Sequence, residues 1–142
     1  MGTPLAVADR MPGMQPLSGI HLLLVDDDPD ARAVMQMVME YQGALVITAD
    51  SAKTAIALMA TIRPNVLISD ISMPQHDGFW LLAEARRLGY LEGVPTLAVT
   101  ALELEASDIK DAGFDAYLRK PVDPDILCGT VQKLGRGQTP QE

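Results

Sequence analysis

Three carboxylates, one hydroxyl and one ammonium stand where short apolar runs of this sequence end. The run from Ile20 to Val25 is followed by Asp26-Asp27-Asp28-Pro29, and the run from Val66 to Ser69 by Asp70. Thr100 follows Thr96 to Val99, and Lys120 comes just after Ala116 to Leu118. Taken singly, each has an ordinary explanation: an acidic run caps a helix, a Thr ends a strand, a Lys lies in solvent. Their joint occurrence, one set per run end, argues for shared chemistry. Carboxylates brought close repel, so one takes up a proton or a cation binds between them. A hard, oxygen-seeking ion such as Mg²⁺, with Mn²⁺ as a substitute, suits such donors and keeps positions open for phosphate oxygens. Asp70 could then attack phosphorus as an aspartyl nucleophile. The cation, Lys120 and the Thr100 hydroxyl would stabilise charge on the transferring oxygens. An acyl phosphate is labile and suits a reversible switch.

The elements that must position these groups follow one rhythm, an apolar run, a turn and a helical pattern. Asp28 suits an N-cap and Pro29 the first turn of a helix. Ala31, Val34, Met35, Val38 and Met39 recur at helical spacing and predict its buried face, and Gly43 ends it. Ala44 to Thr48 reads as a strand. Ser51 caps a helix facing inward with Ala55, Leu58, Met59 and Ile62, and Pro64 stops it. Asp77-Gly78 opens a third helix carrying Phe79, Leu82, Ala85 and Leu88. A weaker helix spans about Leu104 to Ala112, anchored by Ile109 and closed by Gly113. Asp123-Pro124 starts a last helix with Leu127, Val131 and Leu134 inward. Five such units imply a parallel α/β sheet with helices on both faces, because parallel strands need right-handed crossovers. The strands are nearly continuously apolar, as strands covered on both sides are. In such folds ligands sit at the carboxyl ends of the strands.

The 142 residues suit one domain, and an apolar share of 48% against 21% charged provides a core. Residues 1–18, with Pro4, Pro12, Gly13 and Pro16, read as a flexible leader, 19–134 as the domain and 135–142 as a tail. A net charge of -8 disfavours direct binding to nucleic acid or an anionic membrane. Cys128 is the single cysteine, so no internal disulfide or zinc spacing exists, and a reducing cytoplasm is the expected location. The amino terminus has no signal-peptide pattern, a myristoylation site would want Ser or Thr where Ala6 stands, and no apolar stretch is long enough to span a bilayer.

With these residues in view, the chain resembles the response-regulator receiver family, the phosphoacceptor domains of two-component signalling. The resemblance rests on Leu22-Leu-Leu-Val-Asp-Asp-Asp28, on Leu67-Ile-Ser-Asp-Ile-Ser-Met-Pro-Gln-His-Asp-Gly78, on Ala98-Val-Thr-Ala101 and on Tyr117-Leu-Arg-Lys-Pro121. It covers residues 20–134 in the family's order and spacing. It implies a flavodoxin-like (βα)5 three-layer sandwich with strand order 2-1-3-4-5. It also implies Asp70 as phosphoacceptor, Asp27 as a direct Mg²⁺ ligand, Asp26 as a second acidic ligand through water, and the Ser72 backbone carbonyl on the metal. Lys120 would contact the phosphoryl group beside a cis Lys120–Pro121 bond. Thr100 would turn toward the phosphate with small Ala101 leaving room, and Tyr117 would move inward with it; as a single position, Tyr117 also reads as a core-edge aromatic. A histidine kinase or histidine phosphotransfer protein would supply the phosphoryl group, the family docking it near the first helix. The output protein is unknown, and a dimer through the last helices is compatible with the family. Such a domain catalyses its own phosphorylation and dephosphorylation and is not a turnover enzyme. The chain would stand alone or be a segment of a larger regulator or hybrid kinase. His76 departs from the family's apolar or small residue and reads as a solvated loop residue. Leu102 is bulky where the family controls water access to the phosphoryl group, which implies slow self-dephosphorylation.

Three rivals compete. Leu23-Leu-Val-Asp-Asp-Asp28 also fits the start of haloacid dehalogenase-like phosphatases, with Asp26 as nucleophile and Asp28 as general acid/base. That reading lacks a cap insertion, finds only Asp123 and Asp125 for the later acidic pair, and leaves Asp70 without a role. Asp26-x-Asp28-x-Asp30 begins like a calcium loop, yet Ala31 replaces its Gly and Met37 its Glu. A receiver scaffold that no longer phosphorylates is disfavoured because every acceptor residue is present.

Overall fold

The structure, a computed structural model, describes residues 15–137. Its strands are β1 (His21–Val25), β2 (Leu45–Ala49), β3 (Val66–Ser69), β4 (Thr96–Thr100) and β5 (Ala116–Arg119). Between and after them run helices α1 (Pro29–Tyr41), α2 (Ala52–Met59), α3 (Gly78–Arg87), α4 (Ala106–Asp111) and α5 (Pro124–Gly135). All strand pairs are parallel, in the order β2-β1-β3-β4-β5. This is the flavodoxin-like order that the resemblance implies, with strand order reversing between β1 and β3.

Local chemistry starts the helices where the sequence predicts. The side chains of Asp28, Ser51, Asp77 and Asp123 each accept a hydrogen bond from a backbone N–H of the first turn. Pro29 and Pro124 occupy first-turn positions, where a missing N–H costs nothing. Gly43, at φ 104°, lets the chain leave α1 and turn into β2.

The core lies in two layers on either side of the sheet. Leu23, Val25, Leu67 and Ala98 pack under α2, α3 and Ile109 of α4. Leu22, Leu24, Ile68, Leu97 and Val99 pack under Met35 and Met39 of α1 and Leu127, Val131 and Leu134 of α5. Two faces differ from the sequence reading. On α1 the buried line is Met35 and Met39, while Val34 is 56% exposed, because the helix seats a narrow stripe beside the edge strand. On α3 the buried positions are Gly78, Leu81, Leu82 and Ala85, with Phe79 half-buried and Leu88 exposed as the C-cap. Steps of three residues fall short of a full turn, so a face read as 79, 82, 85 and 88 drifts around the helix. Strand β2 alternates, with Leu45 and Ile47 exposed, because it is an edge strand and not covered on both faces.

Residues 15–18 form a turn packed on the domain. Leu17 is fully buried and its N–H donates to the Gln42 carbonyl at 2.9 Å. The Arg136 guanidinium donates to the carbonyls of Pro16 (2.8 Å) and Ser18 (3.3 Å). The expected leader and tail thus meet packed structure at residues 15–18 and in the last turn of α5. The remainder of both, residues 1–14 with Ala6 and residues 138–142, lies outside the described residues. Among the described residues no helix is long and apolar enough to cross a membrane.

Candidate functional site

Register decides which side chains meet. Val25 pairs with Ser69, so Asp26 and Asp70 leave adjacent strands together, and the Asp70 N–H donates to the Val25 carbonyl at 2.9 Å. Thr100 pairs with Arg119, which brings the next residue, Lys120, to the same edge, its N–H donating to the Thr100 carbonyl at 2.9 Å. Asp26, Asp27 and Asp70 each offer a carboxylate oxygen within 4.8 Å of the others. Asp26 is fully buried, Asp70 nearly so, and Asp27 opens to solvent.

Lys120 ties this group together. Its Nζ donates to Asp26 Oδ2 at 2.8 Å and to Asp70 Oδ2 at 2.9 Å. Burial pulls the ammonium toward neutrality, but the hydrogen bonds to Asp26 and Asp70 and their negative charge outweigh it and raise its pKa above the usual lysine value. The other Asp26 oxygen, Oδ1, accepts from the Asp28 N–H at 2.9 Å, so both of its carboxylate oxygens are engaged. Asp70 Oδ1 accepts from the Ser72 N–H at 3.1 Å. The Asp27 carboxylate has no hydrogen-bond partner among the described residues. Oxygen-only donors with this surplus of negative charge fit a hard divalent cation.

The remaining sequence-predicted residues surround this group. Thr100 is fully buried, and its Oγ1 accepts from the Leu102 N–H at 3.2 Å. Tyr117 is half-buried against the α2–α3–α4 side of the core. The Lys120–Pro121 peptide is cis. His76 lies not free in solvent but half-buried, its ring stacked on Trp80 at 3.9 Å between centroids. Asp28 caps α1 by accepting from the Asp30 N–H at 3.1 Å, so the pair needed for a phosphatase is committed elsewhere.

Sequence reading missed three contributors. Arg32 donates from Nη1 to the Asp26 backbone carbonyl at 2.7 Å; its only signal is a cation in the first turns of a helix that follows an acidic run. Ser69, a hydroxyl at the end of an otherwise apolar strand, donates to the Asp70 carbonyl at 2.7 Å. Gly78 lies against the Asp70–Ile71 backbone, where a Cβ would come 2.5 Å from the Asp70 carbonyl oxygen. A cavity of about 750 Å³ opens at the amino ends of the strands, lined by Arg63, Arg86 and Asp115, and has no part in this cluster.

Known proteins resemble this chain in sequence and in fold. A family model described as the response regulator receiver domain matches residues 22–132. A 14.6 kDa protein from the sodA1 3' region of Leptolyngbya boryana is 41% identical over 122 residues, covering 84% of this chain and 93% of that protein. Response regulator Rre1 of Synechocystis is 36% identical over 118 residues, covering 81% of this chain; the chain spans only 51% of that regulator's length. Among solved structures, the receiver domain of Francisella response regulator 1452 superposes with a TM-score of 0.76 at 28% identity, over 84% of this chain and 98% of that one. The chemotaxis response regulator CheY4 of Vibrio cholerae gives 0.75 at 28% identity, over 83% and 98%.

Proposed function

The chain belongs to the response regulator receiver domain family, whose members are the phosphoacceptors of two-component signalling, and from that premise we propose that Asp70 takes the phosphoryl group. The single observation that carries the assignment is the Lys120 ammonium held between Asp70 and buried Asp26, with Asp27 in the same cluster.

A carboxylate oxygen of Asp70 attacks phosphorus of a phosphohistidine on a histidine kinase or phosphotransfer protein. The P–O bond forms as the P–N bond breaks, and the imidazole leaves with the electron pair and takes up a proton from solvent. Asp27, Asp70 and the Ser72 carbonyl would hold Mg²⁺, which would supply positive charge to the transferring oxygens. Asp26 would act on the ion through water rather than directly, which its two occupied oxygens support. Lys120 gives up one of its carboxylates to meet the phosphoryl oxygens. Thr100 exchanges the Leu102 amide for the phosphoryl group, Tyr117 follows inward, and the surface of α4, β5 and α5 changes for an output protein. The domain catalyses its own phosphorylation and hydrolysis, works in the cytoplasm, and is compatible with a dimer through its last helices. The family assignment leaves the phosphatase reading of Asp26 and Asp28 without support.

Mg²⁺-dependent phosphotransfer from candidate kinases, and from acetyl phosphate, to the parent and to Asp70→Asn tests this. One alkali-labile phosphoryl group on the parent and none on Asp70→Asn is expected. Equal labelling of both, or steady turnover of a phosphate ester by Asp70→Asn, refutes it.

A further inference from the structure

The Asp27 carboxylate accepts no hydrogen bond from the described residues, although the reading above makes it a direct metal ligand. Its aim is therefore set by the backbone that carries it. The peptide joining Asp26 to Asp27 presents its carbonyl to the Arg32 guanidinium, 2.7 Å away and partly buried. On the other side of Asp26, its N–H donates to the Ala49 carbonyl at 3.1 Å. Among the described residues, Arg32 is thus the one side chain that donates to the carbonyl of this peptide, from the first turn of α1.

Arg32 also stands where helix stability disfavours it. It lies close to the amino end of α1, where the helix dipole is positive and a cation is unfavourable. A charged donor on a carbonyl makes a stronger hydrogen bond than a neutral one, which offsets that cost. From this geometry we infer that Arg32 is a positioning residue for the metal-binding pair: it fixes the Asp26–Asp27 peptide so that the Asp27 carboxylate is aimed at the cation before the cation arrives. The inference rests on the reading of Asp27 as a metal ligand.

Charge alone predicts the opposite sign. A cation beside three carboxylates repels a divalent metal, so simply removing the Arg32 charge would tighten metal binding. Loss of positioning weakens it. The experiment is Mn²⁺ binding, followed by the electron paramagnetic resonance signal of the free ion, to the parent, Arg32→Lys, Arg32→Met and Arg32→Gln, with circular dichroism confirming the fold. Arg32→Met is expected to raise the Mn²⁺ dissociation constant roughly tenfold, the lower end of what loss of a supporting partner costs a metal site. Arg32→Lys, which keeps a charged donor of similar reach, stays near the parent. Arg32→Gln, too short to span the gap, behaves as Arg32→Met and replaces it if Met at this position impairs folding. Binding by the folded Met or Gln variant as tight as the parent's, or tighter, overturns the role of Arg32. A parent that binds no Mn²⁺ and takes no phosphoryl group overturns the reading of the site itself.

Discussion

The Lys120 ammonium lies 2.8 Å from the fully buried Asp26 carboxylate, although 94 residues separate them in the chain. The same ammonium reaches Asp70, so one cation balances two carboxylates at the strand ends. Removing it leaves Asp26 charged, buried and without its counter-ion. Lys120→Met should therefore lose about 3 kcal/mol of stability in metal-free buffer, as breaking a buried ion pair does. Mg²⁺ should restore part of that loss by taking the place of the missing charge. Urea unfolding with and without Mg²⁺ measures both effects, and a variant as stable as the parent without metal would contradict them.

Gly78 has a different obligation. A side chain there would press a Cβ to 2.5 Å from the Asp70 carbonyl oxygen and 2.8 Å from Ile71 Cα, and both obstacles are backbone. Gly78→Ala should cost about 1–3 kcal/mol through overpacking. The strain falls on the peptide that carries Asp70, so labelling by acetyl phosphate should slow more than the fall in stability alone explains. Unchanged stability and labelling would show that the α3 amino end shifts freely.

Leu102 is 41% exposed and its N–H is bound to the Thr100 hydroxyl, which ties this apolar residue to a group of the proposed site. A carboxylate in its place could orient an attacking water. Leu102→Glu should shorten the lifetime of the acyl phosphate, read from loss of label over time. Equal lifetimes in parent and variant remove this role for Leu102.

Leu17 tests where the domain begins. It is fully buried against the other apolar residues of the α1–α5 side, with its N–H on the Gln42 carbonyl. Leu17→Ala should cost about 2–5 kcal/mol, the range for deleting a buried leucine side chain. A variant within experimental error of the parent would place residues 15–18 outside the cooperative unit.

The sequence by itself determined the alternation of strands and helices, four side-chain caps, the family and the set of groups at the strand ends. Those features are local: a cap, a turn and an apolar run each depend on residues a few positions apart, and the run ends fall at a single edge once the strands are parallel. The tertiary structure alone decided which face of α1 and α3 is buried, because the helical period tolerates neighbouring stripes and only the packed sheet selects one. It alone decided that Lys120 bridges Asp26 and Asp70, that Arg32 holds the peptide before Asp27, and that Gly78 lies against Asp70. Each of these is a contact between separate elements, fixed by strand register and by the distance at which a helix settles on the sheet, and neither quantity is written in residue spacing.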